Sequence, residues 1–150
     1  MAESDRTIEG TGSTMVVRAI GHVESEIDES TPYDSMESIE SLIVLDPSMI
    51  DGALGLKPGQ EITVVYWFHR SDGYELRQHP KGDRNRPKRG VFALRSPHRP
   101  NPIGITRVQL VSLDKNVLRV RGLDAIDGTP VLDLKPQSVS SLGPNDRHGI

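Results

Sequence analysis

The chain has 150 residues, 35% of them hydrophobic, a formal net charge of −3 and no cysteine, which fits one domain with one core. Disulfides, thiolate nucleophiles and thiolate-held zinc or iron–sulfur centres are thereby excluded. The longest apolar runs fall far short of a membrane span, and MAESDRTIEG carries acids where a secretion signal needs a basic start and an apolar core, so a soluble cytoplasmic protein is expected.

Polar residues 1–14 are expected to form a disordered tail, with the folded domain spanning 15–137 and a flexible tail over 138–150. Met15 to Val23, MVVRAIGHV, has the composition of a strand, and Gly21 marks a bend or a close approach. The acidic, turn-prone ESEIDESTPYDSMESIE follows. Ser38 to Leu45 reads as a second strand, Pro47 to Leu56 as a short helical turn, and Lys57-Pro58-Gly59-Gln60 as a type II turn. That turn feeds Glu61 to Arg70, EITVVYWFHR, with Ile62, Val64, Tyr66 and Phe68 on one face of a strand and Thr63, Val65, Trp67 and His69 on the other. Large hydrophobes on both faces predict that a second copy of the chain covers one of them.

Tyr74 to Gln78 is expected to be a short strand. HPKGDRNRPKRG then forms a basic loop containing Lys81, Arg84, Arg86, Lys88 and Arg89, either a solvated loop or one that grips nucleic-acid phosphates. From Arg70 to Arg107 ten Lys or Arg stand against three Asp or Glu, a local balance of +7 that leaves −10 elsewhere. One basic face on an acidic body follows if the segment folds onto one side.

Gly90 to Thr106, GVFALRSPHRPNPIGIT, combines two apolar runs with a proline-spaced loop. Val91 to Leu94 read as a strand entering the core, and Ile103 to Ile105 as the start of the next. Pro97, Pro100 and Pro102 fix φ and restrict their predecessors, which stiffens the loop carrying Arg95, Ser96, His98, Arg99 and Asn101. A solvated connector is the plain reading. Three prolines in six residues nevertheless suit a loop that must hold donors and cations still. Ile105 to Leu113 and Val117 to Leu123 flank Asp114-Lys115-Asn116 as a β-hairpin, with Arg119 and Arg121 on a wet face. Asp127-Gly128-Thr129-Pro130 is a turn, and Val131 to Leu134 the last strand. The fold class is mainly β, with short helical turns.

RSPHRPNPIG preceded by GVFA, followed by LDAIDGTPVLDLKP over Leu123–Pro136, resembles the two signatures of the TsaA-like family, which includes tRNA N6-adenosine methyltransferases. The resemblance runs from about Ile20 to Pro136. It implies a single compact β-barrel, usually dimeric and unlike a Rossmann-like methyltransferase. It also implies methyl transfer from S-adenosylmethionine to N6 of a threonylcarbamoyl-modified adenosine in the tRNA anticodon arm. Carried over by position, cofactor contacts fall on His69, Arg70, Arg95, Ile105, Asp127, Gly128, Thr129 and Pro130, with Arg70 standing where the family has a glutamine. His98, central in the rigid loop, and Arg99 are candidates for positioning or proton transfer, histidine being the side chain best suited to acid–base work. The family's cofactor loop after the first strand carries an arginine, whereas Glu24, Ser25 and Glu26 stand there in this chain. That departure keeps a second reading open, a dimeric module that binds S-adenosylmethionine or a nucleotide without catalysis. A metal-dependent hydrolase is a distant third, since five scattered histidines include no H-x-x-x-H pattern, and no metal site is expected.

Overall fold

A computed structural model describes residues 12–137; residues 1–11 and 138–150 of the two expected tails lie outside the described residues. Eight strands form: β1 Gly21–Glu24, β2 Glu40–Leu45, β3 Glu61–Trp67, β4 Arg77–Gln78, β5 Arg89–Gly90, β6 Ile103–Asp114, β7 Val117–Arg121 and β8 Pro130–Pro136. Six of them close into a barrel in the order β1-β2-β7-β6-β3-β8, while β4 and β5 form a separate two-stranded ribbon. Every pairing is antiparallel. Short 3₁₀ turns cover Tyr33–Ser38, Pro47–Ala53, Pro80–Gly82 and Val91–Ala93.

The barrel interior follows from side-chain alternation. In β3 Ile62, Val64 and Tyr66 point inward, and in β2 Ser41, Ile43 and Leu45 do the same. Val23, Val108, Leu110, Leu118, Val120, Leu123 and Val131 complete one buried cluster. A period of two is what a strand with one buried face requires. Closing a six-stranded sheet needs local bending, and the register slips between Leu110 and Ser112 in β6 and between Val65 and Tyr66 in β3 supply it.

The β6–β7 hairpin forms where the pattern predicts, turning at Lys115 with φ of 55°, and Arg119 and Arg121 lie exposed on its wet face. The type II turn also forms: Gln60 N–H donates to the Lys57 carbonyl at 3.1 Å, and Gly59 has φ of 91°. The second and fourth strands are shorter than expected, because Ser38 belongs to the preceding 3₁₀ turn and only Arg77 and Gln78 find a partner, in β5.

Two other boundaries need correction. Met15 to Val23 was expected as the first strand, yet β1 starts only at Gly21, the first residue in register with β8; Val16 is 84% exposed. Val91 to Leu94 is a 3₁₀ turn, because the ribbon ends at Gly90 and Leu94 N–H closes back onto the Val91 carbonyl at 3.1 Å. Val91 is buried, whereas Phe92 is 79% exposed.

Candidate functional site

Antiparallel pairing brings the ends of β1, β3 and β7 and the starts of β2, β6 and β8 to one rim of the barrel. At this rim lies a cleft of about 350 Å³, inside the range of roughly 300–1,000 Å³ usual for small-molecule pockets. Its floor is Tyr66, Phe68, Asp124, Ala125 and Thr129, and its walls include Glu29, His69, Arg70, Ser71, Pro97 and His98. A second depression, lined by Ile27, Asp28, Glu29, Ser30, Arg70, Ile126 and Asp127, shares Glu29, Arg70 and Ile126 with the first.

The stiff loop is fastened to the exit of β3. Phe68 N–H donates to the Pro102 carbonyl at 2.7 Å, and Ser71 Oγ donates to the Pro97 carbonyl at 2.7 Å. Prolines cannot donate but their carbonyls accept, so the same residues that restrict the loop also anchor it. His98 thus reaches the cleft wall. Arg99 points elsewhere: its Nη1 donates to the carbonyls of Leu94 at 3.0 Å and Ser96 at 3.2 Å, which braces the loop from within. Arg95 is exposed and outside the lining, although its charge is felt at the Tyr66 hydroxyl.

The Asp127–Pro130 turn meets the loop after β1, which the sequence left unplaced. Ser25 N–H donates to Asp127 Oδ1 at 3.0 Å, Asp127 N–H donates to the Ile27 carbonyl at 2.9 Å, and Gly128 N–H to the Val23 carbonyl at 2.8 Å. Ile27 is fully buried beneath this contact. Gly128 has φ of 81°, and a Cβ there would lie 3.7 Å from His69 Nε2, so the turn and the β3 exit are neighbours. Thr129 is buried in the floor and donates from Oγ1 to the Ile126 carbonyl at 2.6 Å, while Pro130 pairs with His22 on the barrel wall. Ser25 therefore ties the loop after β1 to the turn. Arg70 faces Glu29 from that same loop at 3.7 Å, an exposed ion pair standing between the two depressions. Asp28 Oδ1 accepts from the Ser30 hydroxyl and from Ser30 N–H, in that order of effect, which holds its carboxyl below the usual carboxylate range.

Ile105, which the resemblance also assigns to the cofactor, stands outside the cleft lining as Arg95 and Pro130 do. Its neighbours Gly104 and Thr106 face inward, so Ile105 faces out of the barrel, 49% exposed, paired with Val65. Tyr66, Thr106 and Asp124 were missed in turn. Tyr66 Oη donates to Asp124 Oδ1 at 2.9 Å, and Thr106 Oγ1 donates to the same oxygen. Burial first, and the Asp124 carboxylate next, push the Tyr66 hydroxyl well above the usual tyrosine range. Asp124 stands in the second signature three residues before Asp127, but only barrel closure puts it against Tyr66.

The basic ribbon lies beside the stiff loop, because Gln78 Nε2 donates to the carbonyls of His98 and Glu75. Its tip is tightly folded: the His79 Nδ1–H donates to the Arg86 carbonyl at 2.8 Å, and Lys81 adopts φ of 53°. Lys81, Arg84, Arg86, Lys88 and Arg89 are all exposed, and none forms an ion pair among the described residues. Lys81 lies 5.9 Å over the Tyr33 ring. No group of three or more His, Asp or Glu among the described residues could hold a metal ion, and no helix among them is long and apolar enough to cross a membrane.

A closed barrel with two adjoining depressions of small-molecule size at its rim, and exposed cations alongside, has the architecture of a small-ligand-binding β-barrel. A model of the tRNA-methyltransferase O N-terminal domain matches residues 22–141, and the chain belongs to that family. It is 41% identical over 132 residues to a probable S-adenosyl-L-methionine-binding protein of Methanothermobacter thermautotrophicus, covering 85% of this chain and 94% of that one. It is 36% identical over 104 residues to the tRNA (adenine(37)-N6)-methyltransferase of Mus musculus, covering 65% of this chain and 24% of that one. The crystal structure of TrmO from Pseudomonas aeruginosa superposes with a TM-score of 0.66 at 28% identity, covering 92% of this chain and 63% of that one. The chain thus spans under two thirds of the crystallised TrmO and about a quarter of the mouse protein.

Proposed function

We propose that the protein binds S-adenosylmethionine in the rim cleft and transfers its methyl group to N6 of an adenosine in tRNA, in the cytoplasm. The observation that carries this reading is the junction of three parts: the Asp127–Pro130 turn, the proline-braced loop presenting His98, and the ribbon of unpaired cations tied to that loop. The donor set fits the cofactor. His69, Arg70 and Ser71 at the mouth offer donors and a positive charge for a carboxylate, and Tyr66 and Phe68 offer aromatic surface. When bound, the cofactor supplies an activated methyl group. The protein's own contribution is placement: a stiff loop and a pinned turn hold the reactants in line, and His98 is positioned to orient the adenosine or take its proton. Arg99 serves as a positioning residue through its grip on Leu94 and Ser96.

The finer reading is that the acceptor is a threonylcarbamoyl-modified adenosine beside the anticodon. An anticodon-loop adenosine is already unpaired and reaches a rim pocket at low unstacking cost. The working unit is a homodimer, supported by the exposed Phe92, Leu76 and Ile105; a monomeric mass at micromolar concentration counts against it. The alternative, a binding module without turnover, is favoured by a relative that this chain covers to 94%, whose name states binding alone. The test is incubation with labelled S-adenosylmethionine and tRNA from cells lacking the modification, followed by nucleoside analysis. A methylated N6 product supports the enzyme; cofactor binding with no product supports the module.

A further inference from the structure

Asp124 has a task that its hydrogen bonds do not use up. Both protein donors that reach it, the hydroxyls of Tyr66 and Thr106, converge on Oδ1. Oδ2 accepts no hydrogen bond among the described residues, yet Asp124 lines the floor of the rim cleft. No ion pair within 4.0 Å joins it to Arg95, Arg70 or either cleft histidine. A carboxylate held by two hydroxyls, half-buried, with one oxygen open to a cavity, is an electrostatic receptor for a cation.

The neighbours narrow the kind of cation. Around Asp124 the floor is Tyr66, Phe68 and Ala125, with the Tyr66 and Phe68 rings 5.3 Å apart at 79°. An alkylammonium carries three donors that must each be satisfied, whereas two aromatic rings and Ala125 offer mostly carbon surface beside the one open carboxylate oxygen. A sulfonium has no N–H or O–H to satisfy. Its charge is spread over carbon-bearing sulfur, and it suits a single carboxylate oxygen flanked by aromatic surface. The fixed cations and donors, Arg70, His69 and His98, lie on the cleft walls, suited to the anionic end of a zwitterion.

We infer that Asp124, positioned by Tyr66 and Thr106, faces the sulfonium of S-adenosylmethionine and makes the cleft discriminate the charged cofactor from its neutral demethylated product. This rests on the proposed cofactor, and adds a specificity-determining residue to it. The device also favours product release, since loss of the methyl group removes the charge that the carboxylate attracts.

The test is binding calorimetry with S-adenosylmethionine and S-adenosylhomocysteine, on the wild type and on Asp124→Asn. The amide keeps an oxygen for the Tyr66 and Thr106 hydroxyls but loses the charge. Wild-type protein is expected to prefer S-adenosylmethionine, and Asp124→Asn to lose roughly tenfold of that preference, with S-adenosylhomocysteine affinity changed less than about twofold. Asp124→Glu, which keeps the charge, should restore part of the preference. Equal loss for both ligands in Asp124→Asn marks a structural role and overturns the inference. So does a wild type that binds both ligands equally, a measurement that needs no variant to fold. A wild type that binds neither overturns the proposed cofactor as well, whereas binding of both with an unchanged ratio in the variant overturns only the role of Asp124.

Discussion

Gly104 leaves the space in which the Tyr66 ring lies. A Cβ built on Gly104 would sit 2.6 Å from Tyr66 Cε2 and Cζ and 2.7 Å from Phe68 Cζ, closer than packed atoms approach. The glycine of NPIGIT is therefore a packing requirement of the cleft floor, set by the directly opposed pair Tyr66↔Gly104 in the β3–β6 ladder.

Gly104→Ala should consequently force both rings aside. Overpacking of this kind costs about 1–3 kcal/mol, and the displaced Tyr66 would no longer hold Asp124. Thermal denaturation should show the lower stability, and calorimetry a weaker cofactor affinity. An alanine variant with unchanged melting temperature and affinity would mean that the rings relax freely.

Stability should fall on the alkaline side. The folded protein holds the Tyr66 proton more tightly than the unfolded chain does, since burial and Asp124 raise its pKa. That contribution is complete below the usual tyrosine pKa of about 10, and it is lost as pH rises from there toward the folded value. Tyr66→Phe removes the titration, so denaturant unfolding between neutral pH and pH of about 11 should give a flatter profile for the variant. Parallel profiles would contradict this.

Neutralising Lys81, Arg84, Arg86, Lys88 and Arg89 together should weaken binding to different RNAs alike and reduce the salt slope by up to about 0.7–0.9 per lost phosphate contact. Cofactor affinity should stay nearly constant, because none of the five lines the cleft and their field is screened. His98→Ala should behave in the opposite way, lowering methyl transfer more than RNA association. Filter binding across a salt series beside single-turnover methylation separates the two. An unchanged slope would make the ribbon a solvated loop.

Arg95→Ala is expected to lower S-adenosylmethionine affinity by a modest factor, roughly threefold to tenfold. The residue is exposed and stands outside the lining, so the effect expected is a longer-range attraction between its guanidinium and the carboxylate of the ligand. Calorimetry that gives an unchanged dissociation constant would remove Arg95 from the site.

The period-two pattern of β3 and the turn chemistry at Gly59 and Lys115 were legible because they are local. Phe92 and Ile27 were not, since burial of an apolar residue depends on which neighbour is left to cover it. Ile27 is covered by the Asp127 turn, from the far end of the chain; Phe92 follows a ribbon that has already ended. The candidate site divides in the same way. His69, His98 and Thr129 line the cleft, and it is the resemblance of their short segments to a family, together with the proline spacing around His98, that singles them out in the sequence. Thr106 and Asp124 are an ordinary strand residue and an ordinary loop acid until the barrel closes. Ile105 shows the converse, since one step along a strand moves a side chain from the inner to the outer face.

The seam between β1 and β8 carries the pairs Gly21↔Val131 and His22↔Pro130, extended by the bonds between Val23 and the Gly128–Thr129 turn, and the cleft rim is built across it. Ser25 and Asp127, which clasp each other there, are 102 residues apart in sequence, so this contact is among the most entropically demanding that the chain makes. During synthesis the loop after β1 must wait for almost the whole domain to emerge before its partner exists. The pocket is thus absent from incomplete chains and arises with the last closure. A ligand gripping both sides would act as a clasp on the seam, slowing its opening and shielding the chain from proteases that attack through it.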